Sequence, residues 1–199
     1  ARIDYSSDTT TVPARGPLPH SRDRGGGVGN QDFGYHVGGI INGAGLGSSI
    51  VNRIDYSNDS SAPTPKGNLF STQVTDCTGG AGNESFGYLA GGIYWHLGHP
   101  DFYEHTYIQR IDYSNDNSAA LHKGNLATNC RDNSGTGNQS FGYFAGGFTN
   151  PFARISTVQR SDYSNDTATV VVKGPLSSDH RRRMGGVGNA DFGYYMGGY

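Results

Sequence analysis

Short runs of apolar and polar residues alternate along the chain, each four to six positions long and each bounded by Gly, Asn, Asp or Ser. Arg53-Ile-Asp-Tyr56 alternates with period two, Thr169-Val-Val-Val-Lys173 is a β-branched run, and Phe141-Gly-Tyr143 puts two aromatic rings on one side of an extended segment. Such patterns suit strands whose side chains point alternately to opposite faces. Long stretches carry no Leu, Ala or Glu at helical spacing, so little is left from which to build a helix. The predicted class is all-β.

These segments recur in a fixed order, and the recurrence predicts the architecture. Each unit opens with Arg-x-Asp-Tyr-Ser-x-Asp, at Arg2, Arg53, Arg110 and Arg160, and reaches a Gly-Pro-Leu or Gly-Asn-Leu step at Gly16, Gly67, Gly124 and Gly174. A Gly-Asn turn and Phe-Gly-Tyr-x-x-Gly-Gly follow, the latter starting at Phe33, Phe86, Phe141 and Phe192. The Phe copies are 53, 55 and 51 residues apart, whereas opening Arg to Phe spans only 31 to 33. Most length variation therefore lies after the Gly-Gly. Each unit parses into four strands: c (Arg-Ile-Asp-Tyr), d (the run before the Gly-Pro-Leu step), a (leading into Gly-Asn) and b (Phe-x-Tyr). Ser-Asn-Asp forms the c–d turn, where Asn and Asp side chains cap backbone amides. Gly-Asn forms the a–b turn, where positive φ is inexpensive.

Composition narrows the function classes. A net charge of -2, from 15 basic and 17 acidic residues, offers no broad basic field for a nucleic-acid backbone. No apolar stretch reaches membrane-spanning length and no basic-apolar leader opens the sequence, so no membrane insertion is expected and the chain reads as soluble. Gly is frequent, at 32 residues, but 23 Phe, Tyr and Trp residues imply an ordered core.

Phe192-Gly-Tyr-Tyr-Met-Gly-Gly198, with Arg160-Ser-Asp-Tyr163 ahead of an Asn-Asp turn, resembles kelch repeats in all four units. It departs from them in lacking the outer-strand Trp, where Val170 to Val172 stands, and in having few units. The wording Arg-Ile-Asp-Tyr-Ser-Asn-Asp with Gly-Pro-Leu-Ser is also similar to repeats of marine phage virion and tail-fibre proteins. The resemblance implies a β-propeller of four kelch-like four-stranded blades, residues 1–199 forming a single domain with units starting near 2, 53, 110 and 160. Because the order is c-d, then a-b-c-d three times, then a-b, the ring is expected to close by pairing of the N-terminal c-d strands with the C-terminal a-b strands. A slice of a longer array, or half of a ring shared with a second copy, is the alternative, and a homo-oligomer stays open.

In such a meander the a–b and c–d turns share one rim, nearly invariant between units, and the b–c and d–a connections share the other, where the variation lies. A rigid scaffold presenting unlike loops on one face is a common recognition design. The densest loop, Tyr94 to Tyr107, holds the only Trp and three of the seven His. The candidate ligand-binding residues are Arg22, Asp23, Tyr94, Trp95, His96, Tyr103, Arg154 and Arg182, since aromatic planes with bidentate polar groups suit sugar rings. The alternative is that Trp95 and its neighbours fold the long loop onto the propeller or cover its central channel. His96, His99 and His105 fit no closed metal site, the repeated Asp is better explained by turn capping than by calcium, and catalytic carboxylates would not be copied into every unit. Cofactors and catalytic residues are therefore expected to be none. Arg181 to Arg183 reads as a solvated rim. Cys77 and Cys130 occupy neighbouring d–a regions, where either a disulfide or two buried thiols would fit. The Asn-x-Ser/Thr patterns at Asn58, Asn83, Asn138 and Asn165 fall in turns that favour Asn anyway. The expected function is a non-enzymatic recognition module for a glycan or cell-surface ligand, lectin-like or phage receptor-binding, extracellular or virion-associated. The alternative is a structural or virion-assembly propeller without a small ligand.

Overall fold

The computed structural model describes residues 1–199 except 8, 10, 43–45, 71–77, 96–101, 152 and 178–180. The first complete unit contains β1 (Arg22–Asp23), β2 (Gly26–Gly29), β3 (Phe33–Val37), β4 (Ile40–Ile41), β5 (Leu46–Gly47), β6 (Val51–Asp55) and β7 (Thr64–Pro65). The second contains β8 (Gly79–Gly82), β9 (Phe86–Ala90), β10 (Ile93–Trp95), β11 (Phe102–Glu104), β12 (Tyr107–Asp112) and β13 (Leu121–Asn125). The third contains β14 (Ser134–Gly137), β15 (Phe141–Ala145), β16 (Phe148–Thr149), β17 (Ala153–Arg154), β18 (Val158–Asp162) and β19 (Val171–Lys173), and β20 (Gly185–Gly188) with β21 (Gly193–Met196) follows. Three four-stranded antiparallel sheets result, β2-β3-β6-β7, β8-β9-β12-β13 and β14-β15-β18-β19, in the a-b-c-d order read from the sequence.

The c–d turn departs from its expected chemistry. Tyr56–Asn58, Tyr113–Asn115 and Tyr163–Asn165 each form one 3-10 turn, capped by the aspartate that ends strand c: Asp55, Asp112 and Asp162 accept from the backbone N of Ser57, Ser114 and Ser164. The second aspartate of the motif has another task. Asp116 accepts a hydrogen bond from the Tyr35 hydroxyl at 2.9 Å and pairs with Arg53 Nη1 at 2.9 Å and Lys66 Nζ at 2.9 Å, all from the preceding unit. Asp166 does the same for Tyr88 at 3.1 Å, Arg110 at 2.7 Å and Lys123 at 3.4 Å. Burial alone would raise the Asp116 carboxyl, but Lys66, Tyr35 and Arg53 together hold it below the usual carboxylate value. The b-strand tyrosine of one unit also stacks on the turn tyrosine of the next, Tyr35 on Tyr113 at 4.9 Å and Tyr88 on Tyr163 at 4.4 Å between ring centroids.

The glycine content has a packing cause. A Cβ on Gly80 would lie 2.1 Å from the Gly27 carbonyl oxygen, one on Gly135 2.2 Å from that of Gly80, and one on Gly186 2.3 Å from that of Gly135. The a strands approach backbone to backbone, and only glycine permits it. The Asn of each a–b turn adds a further tie: Asn30, Asn83 and Asn138 donate through Nδ2 to the carbonyls of Glu84, Gln139 and Ala190 in the following unit. The apolar core lies in these seams, around Tyr35, Val51, Leu89 and Ile111, and around Tyr88, Ile108, Cys130 and Phe144.

The expected pairing of the two ends is not formed. Among the described residues β21 pairs with β20 alone, and no strand includes Arg2 to Tyr5. Asp59 instead seats the N-terminal segment on the first sheet through Arg2 at 3.1 Å and Arg15 at 3.2 Å. Seating by these charges and by the a-strand glycines sets each half in place separately, and among the described residues no strand pairing joins the two halves. Cys130 carries a free, buried thiol, so the disulfide is absent; burial, with the Glu104 charge nearby, pushes its pKa up to about 12. Cys77 lies outside the described residues.

Candidate functional site

The variable b–c connections fold into extra hairpins. β4 pairs with both β1 and β5, β10 pairs with β11 in the register Tyr94 to Tyr103 and Trp95 to Phe102, and β16 pairs with β17. The d–a connection joins them where Arg131 bridges to Phe148. Three residues at one position of that connection, nine before each Phe, have left-handed backbone: Arg24, Asp132 and Arg183, with φ of 56°, 56° and 59°. This turns the chain sharply and presents adjacent side chains to the hairpins.

Around the third unit these side chains form a ladder of guanidinium and aromatic planes. Glu104, almost wholly buried, holds Arg131 at 2.8 Å. Arg131 and Arg182 both lie on the Phe148 ring, with Cζ 4.7 and 4.8 Å from its centroid. Asp132 bridges Arg182 at 3.4 Å and Arg183 at 3.3 Å. Arg182 also donates to the Tyr199 hydroxyl at 3.0 Å, and the Tyr199 ring is approached by Arg154 at 5.2 Å, Arg182 at 4.8 Å and Arg183 at 5.7 Å. Arg181 donates to the Gly197 carbonyl at 3.2 Å in the same region. Of these five arginines, Arg131, Arg182 and Arg183 pair with the two carboxylates, Glu104 and Asp132, while Arg154 lies exposed over the Tyr199 ring at the outer end of the ladder.

The sequence candidates divide. Arg154 and Arg182 are brought together at Tyr199. Tyr103 is exposed on β11, on the face opposite the buried Glu104 that follows it. Tyr94 and Trp95 lie on β10 opposite it, and His96 lies outside the described residues. Arg22 is occupied inside the first unit, donating to the carbonyls of Gly38 and Ile50 at 3.1 Å each and to Asn52 Oδ1. Asp23 is exposed on β1, with Arg24 Nε 4.0 Å away. Sequence reasoning missed Glu104, Arg131, Asp132, Phe148, Arg183 and Tyr199. Aligning the d–a connections backward from Phe would have placed Asp132 and Arg183 at one position, but nothing in the sequence pairs either with Phe148.

Histidine offers little toward a metal centre. His105 has a buried Nδ1 without a hydrogen-bond partner, and burial together with nearby His122 lowers its pKa to about 4. It stacks on Tyr107 at 5.1 Å. Among the described residues no three His, Cys, Asp or Glu side chains converge as metal ligands.

No family model matches the chain, and no curated protein matches it. A solved structure titled "Structure of YjhT" has a similar fold, with a TM-score of 0.70 at 14% identity over 89% of this chain. The chain spans 59% of that structure's length.

Proposed function

We propose that the chain is a non-enzymatic recognition module of propeller type, with kelch-like units, that binds acidic glycans of a cell surface through its variable rim. The exposed end of the ladder, the Tyr199 ring with Arg154 beside it, carries this reading. The ring gives a stacking plane for the apolar face of a sugar, and the Arg154 guanidinium gives paired donors for a carboxylate or sulfate. The remaining rim hairpins supply shape that differs from unit to unit, which suits selection among glycans rather than uniform adhesion.

The test is a glycan array probed with the whole 199-residue chain, followed by titration of the best neutral and acidic hits. The double variant Tyr103→Ala, Arg154→Ala alters exposed side chains only, so its thermal unfolding should match the parent. Binding of acidic glycans should fall by about tenfold or more in that variant and weaken with added salt. An array silent for acidic glycans, or affinity unchanged in the double variant, overturns the proposal.

A further inference from the structure

Two cavities lined by described residues are the two vacated halves of one missing seam. The first, about 220 Å³, is lined by Thr136, Tyr143, Phe192, Gly193 and Tyr195 among others. In the complete units, the counterpart of this space is filled: the hydroxyls of Tyr56, Tyr113 and Tyr163 would meet a Cβ on Gly34, Gly87 and Gly142 at 2.6 to 2.7 Å, whereas Gly193 has no tyrosine beside it. The residue that repeats these tyrosines is Tyr5, which is 94% exposed. The second cavity, about 590 Å³, is lined by Arg2, Ile3, Tyr5, Tyr56 and Asp59 among others. It is the place that Tyr35 and Tyr88 occupy against Tyr113 and Asp116, and Tyr163 and Asp166. Its missing occupant by repeat position is Tyr194, 55% exposed.

Glycines mark the same absence. Gly16, Gly67 and Gly124 would each place a Cβ within 1.9 to 2.0 Å of a carbonyl of the next unit, and each donates its N–H to the Asp of that unit. Gly174, at the same step, has nothing within 4 Å, and Gly27 has only the Tyr35 carbonyl at 3.9 Å where the other a-strand glycines meet a neighbouring backbone at 2.1 to 2.3 Å. Arg160 and Lys173 complete the pattern: their counterparts Arg53, Lys66, Arg110 and Lys123 grip an aspartate, and among the described residues they grip none. Both faces thus carry glycine and charge for a contact that a single copy does not make, and the exposed Ile3, Val187, Phe192 and Met196 are apolar in the same places.

We propose that a second copy of this chain fills the seam, its Arg2 to Tyr5 segment adding strand c to β21. The register of the complete sheets, Phe33 to Asp55, Gly34 to Ile54 and Tyr35 to Arg53, sets Phe192 against the partner copy's Asp4, Gly193 against its Ile3 and Tyr194 against its Arg2. Arg2 then covers the Phe192 ring, as Arg53 covers Phe33 at 4.2 Å. A second copy suits the seam better than the chain's own two ends because both halves are already anchored within one chain, the N-terminal one by Asp59 and the C-terminal one by Gly186 on Gly135 and by the Tyr195 hydroxyl on the Tyr143 carbonyl at 3.0 Å. The interface is head-to-tail, and two such junctions close it.

The test uses Gly174→Ala and Gly27→Ala, whose added methyl groups meet open space in one copy and a carbonyl in the junction. Light scattering across a concentration series should show wild type as a dimer or larger, and each variant should associate about 100-fold more weakly or worse. Circular dichroism should be unchanged. A wild type that stays monomeric overturns the proposal, as do variants that assemble as well as wild type. A monomer that Gly174→Ala destabilises would mean that the chain closes on itself, which also overturns it.

Discussion

Asp59, Asp116 and Asp166 occupy the same place in the same motif, yet replacing them with Ala should have very different consequences. The Asp116 side chain is 5% exposed and neutralises Lys66, 11% exposed, and Arg53, 23% exposed. It also accepts a hydrogen bond from the hydroxyl of Tyr35, whose residue exposure is 3%. Asp116→Ala strands two largely buried cations and a buried hydroxyl, a loss of about 3–5 kcal/mol. Asp166→Ala should resemble it. Asp59 holds Arg2 and Arg15, which are 49% and 28% exposed, and among the described residues no tyrosine hydroxyl donates to it. Its removal should cost about 1 kcal/mol or less. Urea unfolding followed by fluorescence, at dilutions where the chain is a single copy, gives the three values. The acid limb supplies a second reading. The folded-state pKa of Asp116 is depressed, so its stabilisation is present above the ordinary carboxylate value and is lost as pH falls through the lower folded value. Asp116→Ala should therefore flatten stability against pH below about pH 4. Equal costs for Asp59→Ala and Asp116→Ala would refute this account of the seams.

Two further outcomes are expected. His105 is held neutral to about pH 4, so it destabilises the fold as pH drops from its unfolded value of about 6.5 toward 4, by about 3 kcal/mol at most. In His105→Phe, which keeps the stack on Tyr107, the stability difference from wild type should grow over that interval, as urea midpoints would show; a constant difference contradicts the burial assigned to His105. Cys130, in a Cys77→Ser background, should react with a thiol reagent only at the rate of global unfolding, and fast labelling under native conditions would place the thiol elsewhere than in the core.

Much of the architecture is legible in the residue order because the strands obey local rules. Period-two alternation, the Gly-Asn turn and the Phe-x-Tyr strand each depend on backbone preferences within a few residues, and four copies of each leave little ambiguity about an all-β chain of repeated antiparallel sheets. Even the Asn turn is local, since Asn30, Asn83 and Asn138 accept from amides two and three residues on. The role of the second aspartate was not legible. Asp116 and Asp55 are both separated from a Ser by short spacings and both suit a cap, but only the packing of successive sheets brings Tyr35, 81 residues away, to Asp116. The rim was half legible: Arg154, Arg182 and Tyr103 stand out by type, whereas Glu104 and Phe148 acquire their parts from a hairpin register that no local signal sets.

The ends separate the two kinds of determination most clearly. Spacing alone dictates that Arg2 to Tyr5 repeats strand c and that Phe192 to Gly198 repeats strand b, because each matches a pattern seen in three whole units. Whether the halves join within one chain depends on the angle at which each sheet is set on its neighbour, and that angle results from glycine backbones in contact, stacked tyrosines and buried ion pairs summed over every seam. Pair preferences survive in the sequence; their accumulated rotation exists only in the folded chain.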